Sequence, residues 1–387
     1  MPTTKAKNLL YRLALPFCSA KPPQHPIINS DGCPICFEQL LTGIIRRNHI
    51  FGAAISLKSE KKQAAVFTSH IHTKCIPRYS TYYRVASITK MATSLIATAL
   101  MDRGIIDSKK PVAEMIPGGS NIPELRGIYI DQLLSHTSGL IDPANLEDLL
   151  LQRTPLGEAL KGRRKFEPGT AFHYSNLGFG LIGSILEAAL DLSVEEVFQK
   201  FLFHPLKMNA TLEGSSLDES SIMPVIRILP LHSLQGITVT KLGRKPIGIA
   251  DPEYHFGYTA GSMYTTLTSL VKMIECIRDG GKPLLSEAFS NYMTMESAQY
   301  GRLSPTLSYG HGILRIRDKR VSDHIVYGHQ GFAYGCVDGA FWEDSTGNII
   351  ITLNGGCSEA RSGRLGRANI DLCRFAFRKE IPMWNLR

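Results

Sequence analysis

The chain has 387 residues, 43% of them hydrophobic and 20% charged, so it can bury a large core and is not compositionally disordered. A length of this order usually means two lobes, and no fixed-period repeat or low-complexity tract points to a repeat array instead. The formal charge of +9 is scattered: its densest clusters, Lys58, Lys61 and Lys62, then Lys161, Arg163, Arg164 and Lys165, are not interleaved with aromatics, which argues against a nucleic-acid partner and for solvated faces.

Up to Ser30 there is no acidic residue, while Lys5, Lys7, Arg12 and Lys21 are basic and Asn8 to Ala20 is largely apolar, so residues 1–31 read as a leader or N-terminal extension. Arg12 and Pro16 interrupt the apolar centre that a secretory signal needs, and serine and arginine are too few for an organellar presequence. The compartment stays open, with the cytoplasm favoured over an extracytoplasmic site. No uncharged apolar run reaches the roughly 18 to 20 residues that span a bilayer, so no transmembrane helix is expected.

Eight cysteines are spread along the chain, unlike a dense disulfide framework, and most are expected free and buried. Cys33 and Cys36, followed by His70, His72 and Cys75, match no standard zinc spacing, so neither a metal nor another cofactor is expected.

In chain order, Cys36 to His49 has helical spacing, and Gly52 to Leu57 and Ala64 to Thr68 read as strands around a charged turn. Ser87 to Asp102 returns to a helical period, with Gly104 as its stop signal; further helices are expected near Asn176 to Asp191, Val194 to Phe203 and Leu267 to Asp279. The last third is strand-like at Thr306 to Arg317, Ile325 to Gln330, Tyr334 to Trp342 and Asn348 to Leu353, and Arg361 to Arg378 reads as a closing helix. The expected fold is α/β, of the α+β kind: an antiparallel sheet flanked by helices, built from residues 32–80 and 300–387, with a mainly helical lobe over 81–299.

Ser87-x-x-Lys90 puts a hydroxyl and an amine on one helix face, but Ser59 with Lys62 and Ser269 with Lys272 repeat the spacing. Only Ser87 follows an extended run, Tyr82 to Ala86, and opens a helix, where unpaired N–H groups, its own included, favour an oxyanion. The plain alternative is a capping serine beside a solvated lysine. As a base, Lys90 must lose about three pKa units from about 10.4, a cost of about 4 kcal/mol.

Tyr174-Ser175-Asn176 is the one Tyr-x-Asn in the chain and follows a turn-forming stretch, so its phenol and carboxamide can project into a cleft; a buried tyrosine with an asparagine helix cap is the alternative. In Gly328-His329-Gln330-Gly331-Phe332 the glycines let a substrate approach a strand edge, with the Phe332 N–H as a second oxyanion donor. Against this, His329 can be an ordinary strand histidine, and Lys241-Leu242-Gly243 is a rival motif.

Taken together and in this order, the three motifs resemble those of the serine β-lactamase and penicillin-binding superfamily, in the branch of class C β-lactamases, D-alanyl-D-alanine carboxypeptidases, D-aminopeptidases and esterases. Leu133 to Leu140 and Phe166 to Asn176 match as well. The resemblance implies a β-lactamase/transpeptidase-like fold in which Ser87 is acylated, Lys90 and Tyr174 move the proton, and Asn176, His329, Gly331 and Phe332 bind a small-molecule or peptide substrate. His329 stands where many relatives have lysine, which shifts the expected substrates from β-lactams towards peptides and esters, with Arg361 or Arg364 as candidate replacements for the missing charge. A promiscuous short-chain esterase and a non-catalytic scaffold or ligand sensor remain the alternatives, and the oligomeric state is open.

Overall fold

The computed structural model describes residues 9–11, 13–18, 20–71, 76–228, 236–301 and 304–378. Among them the strands of the two larger sheets are β1 (Ile27–Asp31), β2 (Ala54–Lys58), β3 (Gln63–Thr68), β4 (Tyr82–Arg84), β5 (Ala210–Thr211), β6 (Tyr264–Thr266), β7 (Ala298–Gln299), β8 (Leu307–Tyr309), β9 (Leu314–Ile316), β10 (Val326–Ala333), β11 (Cys336–Glu343) and β12 (Ile349–Leu353). The longer helices are α1 (Ile35–Arg47), α2 (Thr89–Asp102), α3 (Asn176–Leu190), α4 (Leu267–Arg278) and α5 (Arg367–Phe377).

The main sheet runs β1-β3-β2-β12-β11-β10-β9-β8-β7, and every pairing is antiparallel. Strands from both ends of the chain therefore meet at the β2–β12 pair, as the split of strand-like segments implied. Helices α1 and α5 cover one face, where Phe37, Leu41 and Ile45 join Leu372 and Phe375 over Val66, Phe341 and Ile350. Helix α4 packs on the other face, against β2, β11 and β12, although it falls within the segment expected to form the helical lobe.

The chain between β4 and β6 is mainly helical, and those strands pair with each other, so the segment leaves and returns at one place. At its centre α2 is buried from Thr89 to Met101, apolar and small residues on nearly every side with Lys90 the exception, as suits a helix with no solvent face. One hydrophobic cluster joins Leu95, Ile96 and Phe179 to Ala54, Trp342 and Ile351 of the sheet, so the two regions share a core.

Three local expectations are corrected. Thr306 to Arg317 is two strands, β8 and β9, because Gly310 and Gly312 turn the chain; Gly312 has φ +83° and a Cβ there would meet Ser94 Oγ. The closing helix starts at Arg367, since Arg361–Ser362 and Leu365–Gly366 first form a hairpin. Ile27–Asp31, inside the expected leader, is the edge strand β1. No single helix among the described residues is long and apolar enough to cross a membrane.

Candidate active site

The polypeptide makes a sharp entry into α2. Val85 closes the extended run, Ala86 adopts a left-handed φ of +45°, and Ala86–Ile88 form one 3₁₀ turn before the α-helix begins at Thr89. A non-glycine residue with positive φ is strained, and here the strain sits immediately before the serine. Ser87 is half-exposed at this junction and lines a cleft of about 530 Å³. A separate hollow of about 620 Å³, lined by Ile28, Phe67 and Tyr79, contains none of the groups described below.

One turn on, Lys90 is fully buried. Its Nζ lies 3.1 Å from Ser87 Oγ, 2.8 Å from Asn176 Oδ1 and 2.6 Å from the Ala260 carbonyl. Burial lowers its pKa to about 7, with Asp142 pulling the other way. The two closest partners are acceptors only. A neutral amine has two hydrogens for them and a lone pair for the Ser87 hydroxyl, so this environment suits the form that takes up a proton.

Tyr174 reaches the site from the irregular stretch before α3, and its phenol shares a hydrogen bond with Ser87. Its ring centroid is 4.9 Å from Lys90 Nζ. Burial, partly opposed by the Ser87 contact, raises the phenol pKa far above its usual value. Ser175 caps α3 through Gly178 N at 3.0 Å, and Asn176 opens the helix beside the cleft. Its Oδ1 is taken by Lys90, while Nδ2 donates to Asp142 Oδ2 at 2.8 Å and keeps a second hydrogen for a ligand.

Gly331 and Phe332 lie on β10 against the serine turn. A Cβ on Gly331 would stand 2.3 Å from the Val85 carbonyl, so only glycine lets the strand approach this closely. Phe332 lines the cleft with Ser87. His329 departs from the expected arrangement: it is 3% exposed, and its ring nitrogens meet the Tyr309 hydroxyl at 2.9 Å and the Gln330 carbonyl at 2.7 Å. Burial and the charge of Lys90 bring its pKa down to about 3, so it offers the cleft no cation.

The rival motifs lack the same arrangement, although Leu242 of one of them also lines the cleft. Lys272 Nζ donates to the Lys207 carbonyl, Ser59 and Lys62 close a turn, and Lys241-Leu242-Gly243 belongs to a short 3₁₀ segment, not to the sheet. His70 is buried on the Pro224 carbonyl, while His72 and Cys75 lie outside the described residues; among those described, no three His, Cys, Asp or Glu side chains gather as a metal would require.

Several contributors carried no sequence motif. Asp142 receives Ser175 Oγ and Leu177 N, each at 2.9 Å, besides Asn176, and so ties the start of α3 to the site. His136, buried with φ +58°, packs 4.3 Å from the Tyr174 ring and accepts from Ser175 N at 3.1 Å. Burial holds it neutral, with the charge of Lys90 acting in the same direction. It falls in the Leu133–Leu140 segment, which was legible only as a resemblance.

The sequence profile of the Beta-lactamase family matches residues 39–353. The chain belongs to the Beta-lactamase family. Within it, the chain is 27% identical over 205 residues to the D-alanyl-D-alanine-carboxypeptidase/endopeptidase AmpH of Escherichia coli, a match over 48% of this chain and 53% of that protein. It thus spans about half the length of such curated relatives. Solved structures share the family fold: the D-amino acid amidase of Ochrobactrum anthropi superposes with a TM-score of 0.66 at 20% identity, over 88% of this chain and 98% of that one. EstCE1, a hydrolase with promiscuous acyltransferase activity, superposes at 0.67 and 17%, over 87% and 98%. Both belong with the β-lactamase/transpeptidase-like fold.

Proposed function

We propose that the chain is a serine hydrolase that forms an acyl ester on Ser87 from a small amide or ester and then releases it to water. The observation that carries this reading is the buried Lys90 amine, 3.1 Å from Ser87 Oγ, with its pKa lowered to about 7 and its other two contacts acceptors only.

Neutral Lys90 takes the Ser87 proton as Oγ bonds to the substrate carbonyl carbon. The negative charge moving onto the carbonyl oxygen is met by the backbone N–H groups of Ser87 and Phe332. Tyr174 keeps its own proton at any working pH, so it relays rather than acts as a standing phenolate: it hands a proton to the leaving nitrogen or oxygen and is resupplied from Lys90. The scissile bond breaks and the amine or alcohol departs. A water molecule then attacks the ester, gives its proton to the same pair, and leaves as part of the acid while Ser87 regains its hydrogen.

Substrates are amides or esters of the D-peptidase or esterase type more than β-lactams, because the neutral His329 occupies the strand position that carries lysine in many β-lactamases. The likeness to AmpH and to the D-amino acid amidase supports the same direction. Intact-mass measurement after treatment with a fluorophosphonate is the test. A single adduct that vanishes in Ser87→Ala is expected; an unmodified wild type would favour the scaffold or sensor reading. Among D-alanyl-D-alanine peptides, D-amino acid amides, nitrocefin and p-nitrophenyl esters, turnover of the esters alone would favour the promiscuous esterase.

A further inference from the structure

Ahead of β1 a short arm lies along the body: residues 9–11 and 13–14 are helical, and Leu15–Phe17 add a 3₁₀ turn. Its inner face is fastened. The Tyr11 hydroxyl donates to the Ile228 carbonyl at 2.8 Å and accepts from Glu359 N at 3.2 Å, while Leu15 and Cys18 pack with Phe51 and Ile228. The outer face holds Leu9, Leu10, Leu13 and Phe17, at positions i, i+1, i+4 and i+8, which a helical period gathers into one stripe about 100° wide. Each of the four is between 57% and 72% exposed. A helix that only had to cover the body would leave polar side chains outside; this one presents four large apolar side chains on a fixed support.

Charge selects what covers this stripe. Leu9 and Leu13 line a hollow of about 240 Å³ together with Arg47, at the end of α1, and Arg367, at the start of α5. Arg47 also lines a neighbouring hollow of about 380 Å³, where half-exposed Leu40 and exposed Arg374 join it. Among the described residues the one acid lining either hollow is Asp371, which is held by Arg47 at 3.3 Å and by Asn48 Nδ2 at 2.9 Å. Lys21 is exposed just beyond the arm, and no acidic residue precedes Asp31. Exposed leucines beside guanidiniums match the boundary of an anionic bilayer, where acyl chains take the apolar groups and phosphates the cations. A second copy of the same face would instead set arginines against arginines.

We propose that the outer face of this arm, with the arginines beside it, docks the protein peripherally on an anionic phospholipid membrane. The apolar stripe enters the interface while Tyr11, Leu15 and Cys18 stay on the body, so docking requires no unfolding. Ser358 and Ala360 line the hollow beside the arm, and Glu359 between them lines the Ser87 cleft, so the docked molecule holds one rim of the cleft close to lipid. Docking in this way does not depend on whether Ser87 is acylated.

Flotation of the full chain with lipid vesicles is the test, phosphatidylcholine alone being compared with a mixture containing about 30% phosphatidylglycerol. Partitioning onto the anionic vesicles should exceed that onto the neutral ones about tenfold or more, and should shrink severalfold in about 0.5 M NaCl. Leu9→Ser, Leu10→Ser, Leu13→Ser and Phe17→Ser combined should lower it about tenfold or more, since the interface then gains no apolar surface. Arg367→Gln with Arg374→Gln should cut the preference for anionic vesicles severalfold and leave neutral binding unchanged. Both variants should unfold at the wild-type temperature, because the altered side chains of the arm and the exposed Arg374 support no core contact. Wild type that stays with neither vesicle, wild type with no preference for the anionic one, or a serine variant that floats as wild type does would overturn the proposal. Dimerisation abolished by the same serine substitutions, with no flotation, would assign the face to a second copy and overturn it as well. The wild-type comparison and its salt dependence decide the matter even if a variant fails to fold.

Discussion

The Tyr309 hydroxyl donates to His329 Nε2 at 2.9 Å, which leaves the imidazole proton on Nδ1, donated to the Gln330 carbonyl at 2.7 Å. Both ring nitrogens are engaged in the neutral form, and a second proton would force the Tyr309 hydroxyl to turn from donor to acceptor in a buried site. The histidine of the strand motif is therefore a fixture between β8 and β10, holding the wall behind Tyr174, whose ring lies 6.3 Å away.

Its effect on stability follows from linkage. The unfolded histidine binds a proton near pH 6.5, whereas the folded one does so only near 3. Between those values the unfolded state holds the extra proton, so stability falls as the pH is lowered. Replacing His329 by Gln should flatten this loss by about 1.4 kcal/mol per pH unit, about one proton, in denaturant titrations between about pH 6 and 4. An unchanged slope would contradict the neutral ring.

In the proposed mechanism Lys90 sets the pH dependence of acylation. Because its neutral form is the base, kcat/KM should rise with pH through about 7 and then level off, following the lowered pKa of the buried amine. Lys90→Arg, whose guanidinium keeps its proton, should cost on the order of 10³-fold at every pH. A profile flat from pH 5 to about 9 would assign the proton transfer to another group.

Asp142 raises the pKa of Lys90 while it fastens Asn176, Ser175 and Leu177. In Asp142→Asn the acidic limb should move below pH 7, since the charge that favours the ammonium is gone. Asp142→Ala should in addition lose about 2 kcal/mol of stability, as donors at the start of α3 lose their acceptor. Rate profiles and unfolding curves for the two variants separate the electrostatic effect from the structural one.

Gly331→Ala tests the close approach of β10 to the serine turn. The added methyl would lie 2.3 Å from the Val85 carbonyl, so strand or turn must move. About 1–3 kcal/mol of destabilisation is expected, with a slower rate of fluorophosphonate labelling at Ser87. Wild-type values for both would mean that the contact yields more easily than its geometry implies.

The helix periods and strand runs were legible because α2, α3 and the meander keep their apolar pattern over many residues. The three motifs were legible because their order repeats a known one. Asp142 was not, since an acid among many carries no signal until the fold sets it beside Asn176. Nor was the occupation of His329, because its partner Tyr309 sits on β8, two strands away in the sheet. The split of Thr306 to Arg317 had a signal in Gly310 and Gly312 that the apolar alternation masked. Arg84 sat three residues from the serine in plain view; the ring of Tyr334, some 250 positions later, is what gives it a partner.

Ser87 comes from a helix entrance, Tyr174 from a loop within the inserted segment, and Phe332 from the strand that follows it much later in the chain. In the proposed mechanism a nascent or half-denatured polypeptide thus lacks a competent nucleophile, because the lysine beside it stays hydrated and protonated until the core closes over it. Chemical reactivity at one serine becomes a built-in gauge of complete maturation, and loss of labelling on heating should precede or coincide with the loss of helical signal, never lag behind it.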